Sequence, residues 1–297
     1  MITDICQRWT HRRCAWRPAG EAFDPRRFEV APIARDREAR AFVEAHHYSG
    51  SYPAARVRFG LYEGPDLVGV AVFSQPMRDA SLAPFGRDVA AELGRSVLLD
   101  RVPGNAESWM LARCLNALRR DGFEALTSFS DPEPRRDAQG RETFVGHVGT
   151  IYQASNAVYV GRAAPNLLRL LPDGTSLSRR AIAKITGRER GYRYVVDTLV
   201  RHGAPEPDGD LDAWFKTALA AVTRQLKHGG NHKYFLPLTK AARRAVEGRA
   251  EEYPKLALRN ACQMGAASFG RSRLERWSVS VGLGGCDGTR WTRMRER

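Results

Sequence analysis

From position 28 the chain alternates short apolar runs with amphipathic stretches. Residues 28–33 read as a short strand. After Arg35, the residues Ala39, Phe42, Val43 and His46 fall at three- and four-residue spacing, which predicts a helix ending near His47. The period then breaks in His46-His47-Tyr48-Ser49-Gly50-Ser51-Tyr52-Pro53, a loop by its Gly, Ser and Pro content. Residues 57–62 and 67–74 are two further strands joined by Glu63-Gly64-Pro65-Asp66, which is turn chemistry and predicts a hairpin. The second of them is almost continuously apolar, as a central strand covered on both faces should be. A polar connection over 75–92 leads to a strand over 93–101.

Val102-Pro103-Gly104 turns the chain into a helix over 105–121, with Trp109, Leu111, Leu115 and Leu118 on its apolar side and Asp121-Gly122 as its stop. A strand over 123–129 closes a βαβ unit. An exposed loop over 130–141 follows, then Gly146-His147-Val148-Gly149-Thr150, a short helix over 151–155 and a strand over 156–160. The order β-α-β-β-β-α-β-α-β predicts an α/β (α+β) fold, a mixed twisted sheet flanked by helices. Beyond it, 181–186 opens a strand or a helix, and 191–202 and 211–226 read as helices. Residues 233–238 are a strand that joins the sheet, and 239–249 a basic helix. The expected organisation is an N-terminal arm over 1–27, a core over 28–161, a basic helical extension over 162–257 that completes the domain, and a loosely ordered tail over 258–297.

Charge changes this picture. Lys and Arg number 47 against 33 Asp and Glu, a net of +14, and 18 against 10 of these fall within 162–257. A polyanion such as nucleic acid is one partner this fits; a basic surface without a partner is the other reading. Five cysteines without a CxxC pair point to reduced thiols rather than a disulfide framework or zinc site. With no run of about 18 apolar residues and no signal-peptide pattern, the expectation is a cytoplasmic protein that does not enter a membrane.

Two regions carry candidate chemistry. Arg101-x-x-Gly104-x-Ala106 runs from a strand through a glycine turn into a helix start, where free backbone N–H groups and the helix dipole form an anion site. Asn105 is placed to cap this helix, and Ser108, in its first turn, could face a phosphate or thioester. The loops hold His46, His47, Tyr48, Ser49, Tyr52, Asp131, His147, Tyr152 and Tyr159. His and Asp can ligate a transition metal, and tyrosinate can ligate iron; a packed His46 and core tyrosines are the structural alternative. Asn231-His232-Lys233-Tyr234 follows a glycine turn and could contact phosphate or a base. Neither a Gly-x-Ser-x-Gly elbow nor a Gly-x-x-x-x-Gly-Lys-Ser/Thr loop is present.

Several blocks occur in one order: His46-His47-Tyr48-Ser49-Gly50; Glu92-Leu93-Gly94-Arg95 with Asn105-Ala106-Glu107-Ser108-Trp109; Ser128-Phe129-Ser130-Asp131-Pro132. Then come Gly146-His147-Val148-Gly149-Thr150-Ile151-Tyr152-Gln153-Ala154-Ser155-Asn156, Gly230-Asn231-His232-Lys233-Tyr234 and Tyr253-Pro254-Lys255. Over about residues 22–257 the chain resembles the Mom family of bacteriophage DNA adenine-modifying proteins, a divergent branch of the GNAT acyltransferase fold. Gly94, in place of a small polar residue, and Ala157, in place of a bulky aromatic, depart from the pattern as packing changes.

The resemblance implies transfer of a carbamoylmethyl (acetamido) group to adenine N6 in duplex DNA, which shields phage DNA from restriction enzymes. It implies catalytic roles for Tyr48, Asp131, Tyr152 and Ser108, and an anion loop of Arg101, Gly104 and Ala106 for the donor. An iron ion is associated with the family, with His47, Tyr48 and Asp131 as candidate ligands. The donor is an acyl-CoA or an aminoacyl-type carrier. A buried base must be flipped out of the duplex to react, so Tyr48, Tyr52, Phe129 and Tyr152 are candidates for stacking or proton handling. The DNA-contact set drawn from the basic extension is Arg179, Arg180, Lys184, Asn231, His232 and Lys233. Two other functions compete: an ordinary acetyltransferase acting on a protein or small-molecule amine, and a nucleic-acid-binding protein without activity.

Overall fold

A seven-stranded sheet organises the computed structural model, which describes residues 5–18 and 20–255. The N-terminal arm is a hairpin of β1 (Ile5–Thr10) and β2 (Arg13–Pro18). Its tight turn is made by His11 and Arg12, both left-handed at φ 49° and 63°, the backbone that two-residue hairpin turns favour. Then come β3 (Phe28–Pro32), α1 (Asp36–His46), β4 (Ala55–Glu63), β5 (Asp66–Ser74), β6 (Ala90–Leu98), α2 (Ala106–Arg120) and β7 (Ala125–Ser130). A small hairpin of β8 (Arg135–Arg136) and β9 (Glu142–Phe144), α3 (Thr150–Ala154) and β10 (Val158–Arg162) follow. The extension holds β11 (Asn166–Leu170), β12 (Ser176–Leu177), α4 (Arg179–Thr186), α5 (Arg193–Arg201), α6 (Leu211–Val222) and β13 (Arg224–His228). Last are β14 (His232–Pro237) and α7 (Lys240–Glu247).

The strand order is β10-β14-β7-β6-β5-β4-β3. Neighbours are antiparallel except β6 and β7, which run parallel with α2 as their crossover. Both faces are covered. Ala71, Phe73, Leu93 and Leu126 pack under Met110, Leu111 and Leu118 of α2. Val70, Val72 and Val97 face Ala39 and Val43 of α1 and Trp9 of the hairpin. The near-continuous apolar run of β5 follows from this double burial. Burying a side chain such as Met110 or Leu118 contributes about 1.5–3 kcal/mol.

The parallel pair is short. Only Ala90 to Glu92 lie beside Ala125 to Thr127. Past that point β6 bulges at Gly94, because Val72 and Phe73 oppose Arg95 and Leu93. A Cβ on Gly94 would stand 2.5 Å from Ser74 Oγ, so glycine is what lets the bulge close against β5. The Ser128 hydroxyl bridges the fork by donating to the Leu93 carbonyl at 3.1 Å. Beyond it β6 and β7 diverge and a cleft opens.

Several expectations shift. The strand expected over 93–101 begins at Ala90, where Ala90 and Ala91 are buried in the sheet, and ends at Leu98. The helix expected to run to 226 stops at Val222. Thr223 is extended, and the next five residues form β13, which pairs with β11 in a three-stranded sheet. The extension is therefore not wholly helical, although α4, α5 and α6 share a core around Ile185, Val195, Leu199, Trp214 and Phe215. The ambiguous stretch 181–186 is helix, opened by Ser178 accepting from the Ala181 N–H. The tail expected over 258–297 lies outside the described residues. Among the described residues no helix is long and apolar enough to cross a membrane.

Candidate functional site

The fork between β6 and β7 opens into a cleft of about 350 Å³, within the range typical of small-molecule sites. Gly94, Arg95 and Ser96 form one wall, and Phe129, Ile151 and Tyr152 another. The loop after α1 adds His47 and Tyr48, the turn before α2 adds Gly104 and Ser108, and the hairpin adds Trp9 and Trp16. Of the expected residues His47, Tyr48, Gly104, Ser108, Phe129, His147 and Tyr152 thus meet in one place. Arg95, Trp9 and Trp16 were not expected there. Arg95 lies in the Glu92-Leu93-Gly94-Arg95 block, whereas the hairpin carries no period or motif.

Arg95 holds the loop after α1 against β6. Its Nε donates to the Ser51 carbonyl at 2.9 Å and its Nη2 to Ser51 Oγ at 2.9 Å. Burial pulls its guanidinium below the usual range, opposed by Tyr48 and Glu92 nearby. His47 lies just inside the loop, and its Nδ1 accepts from the Ser49 N–H at 3.1 Å. That bond assigns the ring proton to Nε2. Burial, with Arg95 and His147 adding to it, holds His47 well below the ordinary imidazole range, so it is neutral.

Tyr48 is the centre of an aromatic group. Its ring lies 4.2 Å from His47, 4.6 Å from Phe144 and 4.9 Å from Trp9 between centroids. Its hydroxyl is 3.4 Å from His147 Nε2. Burial raises the phenol above its usual range and lowers His147 to about 4, with His232 and Arg135 contributing. The pair is therefore a neutral phenol beside a neutral imidazole, able to pass a proton between them. Gly149 starts α3 at φ +74°, and a Cβ there would sit 2.6 Å from the Tyr152 ring; glycine lets Tyr152 pack down. The Tyr152 hydroxyl donates to the Phe129 carbonyl at 3.5 Å, and burial raises its pKa.

Asp131 is not in this lining. It is 9% exposed, and its carboxylate accepts from His228 Nε2 at 2.9 Å, from the Glu133 N–H at 3.1 Å and from the Arg135 guanidinium. The structure thus places the Asp131 carboxylate, expected as a catalytic group, among polar partners outside the cleft lining. The ligand set His47, Tyr48 and Asp131 is not assembled for an iron ion either, because the Asp131 carboxylate is committed to His228, the Glu133 N–H and Arg135. Among the described residues no three His, Cys, Asp or Glu side chains are grouped to hold a metal. Tyr52 also turns away, donating to Asp36 at 2.8 Å beneath Arg40.

The turn into α2 differs from the expected anion loop. Arg101 pairs with Glu63 at 2.7 Å and Asp66 at 3.3 Å. Gly104 N–H donates to Glu21 Oε2 at 3.0 Å, Ala106 is fully buried, and Asn105 makes no side-chain cap. Ser108 donates to the Asn105 carbonyl at 3.1 Å. Burial raises Glu107 above the usual carboxylate range, against the opposing pull of Arg8.

The expected DNA-contact residues are spread over several elements. Arg179, Arg180 and Lys184 lie on α4, with Arg179 exposed and Arg180 paired with Glu189 at 2.8 Å. Asn231 accepts from the Ala163 N–H through its carbonyl, and Lys233 lies over the Phe235 ring at 4.7 Å. His232 is 8% exposed, with Nδ1 2.9 Å from the Tyr159 hydroxyl. It is a sheet-packing residue rather than a surface contact.

A family model, that of the Mom protein family, matches residues 27–255. No curated protein matches the chain. Among solved structures, an N-acetyltransferase from Staphylococcus aureus Mu50 aligns at 11% identity and TM-score 0.32, covering 71% of this chain and 97% of its own. A Bacillus subtilis acetyltransferase in complex with CoA aligns at 9% identity and TM-score 0.31, covering 72% and 99%. A GNAT family acetyltransferase from Elizabethkingia anophelis with acetyl-CoA bound aligns at 6% identity and TM-score 0.30, covering 71% and 98%.

Proposed function

Because the chain belongs to the Mom protein family, we propose that its cleft is the active site of a transferase that places a carbamoylmethyl-type group on adenine N6 in duplex DNA. The observation that carries this reading is the aromatic cleft in the β6/β7 fork with the Tyr48–His147 pair in its wall. Adenine N6 is a poor nucleophile because its lone pair is delocalised into the ring. The base must leave the duplex, be held flat and lose a proton as the new N–C bond forms. Tyr48, Phe129 and Trp16 supply aromatic faces along the cleft. The Tyr48 oxygen accepts the N6 proton as its own passes to His147 Nε2, and the donor's leaving group takes the electron pair of the bond that breaks. His47 offers its Nε2–H to an acceptor on the base or the donor. The excess of Lys and Arg suits a DNA partner, and the modified DNA would resist restriction enzymes.

Mass spectrometry of nucleosides from plasmid DNA, after expression of the chain, tests the proposal. The expected result is a new adenine adduct with the mass of an added carbamoylmethyl group. Unmodified DNA alongside acetylated protein or small-molecule amines would replace this reading with an ordinary acetyltransferase. DNA that is bound and left unmodified would make the chain a binding protein.

A further inference from the structure

An acyl-CoA donor held as the acyltransferase-like resemblance implies would rest its diphosphate on the backbone N–H groups at the start of α2. That turn already holds an anion from the chain itself. The Glu21 carboxylate accepts from the Gly104 N–H at 3.0 Å. Arg17 grips the same carboxylate, with one contact at 2.7 Å, and also donates to the Asp100 carbonyl at 2.6 Å. Burial opposes ionisation of Glu21, yet its hydrogen bond to Arg17, the largest influence, leaves its pKa below the usual range. The basic residue of the turn pattern, Arg101, is drawn off to Glu63 and Asp66.

Arg8 of β1 completes the filling. Its side chain has no solvent exposure. It donates to the carbonyls of Pro103 and Gly104 at 2.9 Å each and to that of Val102 at 3.4 Å, and it pairs with Glu107 at 2.8 Å. A diphosphate arriving here would meet two carboxylates, Glu21 and Glu107, while the nearby guanidinium groups are engaged with partners of their own.

The hairpin is fixed at its far end as well. The Arg12 guanidinium donates to the Glu44 carbonyl at 3.0 and 3.1 Å, and the Arg12 N–H to the His46 carbonyl at 3.0 Å. A cation there suits the C-terminus of α1. His11 N–H donates to His46 Nδ1 at 3.2 Å, and midway the Asp100 N–H donates to Thr10 Oγ1 at 3.0 Å.

We infer that the N-terminal hairpin and Glu21 have taken over the anion site at the start of α2, so that the group donor is one without a diphosphate anchored at that turn. CoA thioesters bound in that manner are excluded. The inference rests on reading the cleft as a transferase site, and it makes residues 5–21, all of them outside the family-matched segment, a determinant of donor choice.

Calorimetric titration of the full chain with CoA and with inorganic pyrophosphate tests it. The unaltered chain should show no saturable binding of either up to about 1 mM, and Glu21→Ala, which frees Gly104 N–H and Arg17, should bind pyrophosphate at least about tenfold more tightly. Saturable CoA binding to the unaltered chain with a Kd below about 1 mM, or no gain in Glu21→Ala with its fold intact by near-UV circular dichroism, overturns the inference. Should Glu21→Ala fail to fold, Glu21→Gln removes the carboxylate charge and loosens its hold on Arg17; a smaller gain in pyrophosphate affinity, about threefold, supports the inference and no gain overturns it. Adenine modification is read separately: CoA binding alongside modified DNA sinks only this inference, whereas unmodified DNA with no CoA binding and a pyrophosphate gain in Glu21→Ala sinks the adenine reading and leaves the filled turn standing.

Discussion

The Asp131 carboxylate and the His228 imidazole lie 2.9 Å apart, although 97 positions separate them in sequence. The other carboxylate oxygen of Asp131 holds Arg135, whose guanidinium lies over the Phe144 ring at 4.5 Å. Phe144 in turn packs on Tyr48 at 4.6 Å. The Asp131 carbonyl also accepts from the His147 N–H at 2.8 Å. Asp131 therefore reaches the cleft wall through Arg135 and Phe144 on one side and the backbone of His147 on the other, the contacts of a residue that would position the wall.

Replacing Asp131 should first show as lost stability. Asp131→Ala leaves the Arg135 guanidinium buried without its counter-charge, which costs about 3 kcal/mol or more. Urea unfolding measures this. The double variant Asp131→Ala/Arg135→Met should recover part of the loss, because the uncompensated charge is gone. An Asp131→Ala protein as stable as the parent yet devoid of modification would instead place the carboxylate in the chemistry itself.

Tyr48→Phe keeps the ring against His47, Phe144 and Trp9 and deletes only the hydroxyl beside His147. If that hydroxyl carries the N6 proton, the rate of adduct formation should fall by about 10²-fold or more. DNA affinity should stay within about twofold, because stacking is retained. Equal losses in affinity and rate would show that the hydroxyl binds rather than transfers the proton.

How far the sequence revealed this site depends on which kind of contact builds each part. Apolar periodicity located α1, α2, β5 and β14, because their burial is decided within a few residues. The ends of β6 and α6 were misplaced because long-range pairing decides them: Ala90 is recruited by Ala125, and Arg224 by Leu170. His47, Tyr48 and Tyr152 were legible as polar or aromatic groups in motif-bearing loops. Trp9 and Trp16 were not, since a hairpin that docks across the sheet has no local signature of its target. The partners of Asp131 were not legible, because the arrival of His228 from the extension is invisible in the blocks around it.

His147 predicts an acid-side loss of stability. Its folded pKa is depressed to about 4 from the ordinary 6.5, chiefly by burial. Between these values the unfolded chain binds a proton that the folded chain does not, so stability declines as pH falls from 6.5 and levels off below 4. The full shift sets a ceiling, and partial exposure of the ring reduces it to about 2 kcal/mol. Urea unfolding at several pH values between 4 and 7 should show this slope, and His147→Gln should flatten it. Were the slope unchanged in His147→Gln, another buried group such as His47 would be its source.

The salt dependence of DNA binding separates the basic residues by their partners. Each cation that displaces a phosphate counterion adds about 0.9 to the slope of log affinity against log salt. Arg179 is exposed on α4, and Lys184, on the same helix, carries its ammonium 5.6 Å from the Tyr194 ring. Arg179→Ala and Lys184→Ala should each lower the slope by about 1 if α4 meets the backbone. Arg180→Ala should lower it by less, because Glu189 already neutralises much of its charge through a paired contact. His232→Ala, which removes a buried partner of Tyr159, should reduce stability and leave the slope alone. Fluorescence anisotropy of a labelled duplex from about 50 to 200 mM salt reads all four. A slope near zero for the parent chain would remove α4 and the rest of the extension as a phosphate clamp.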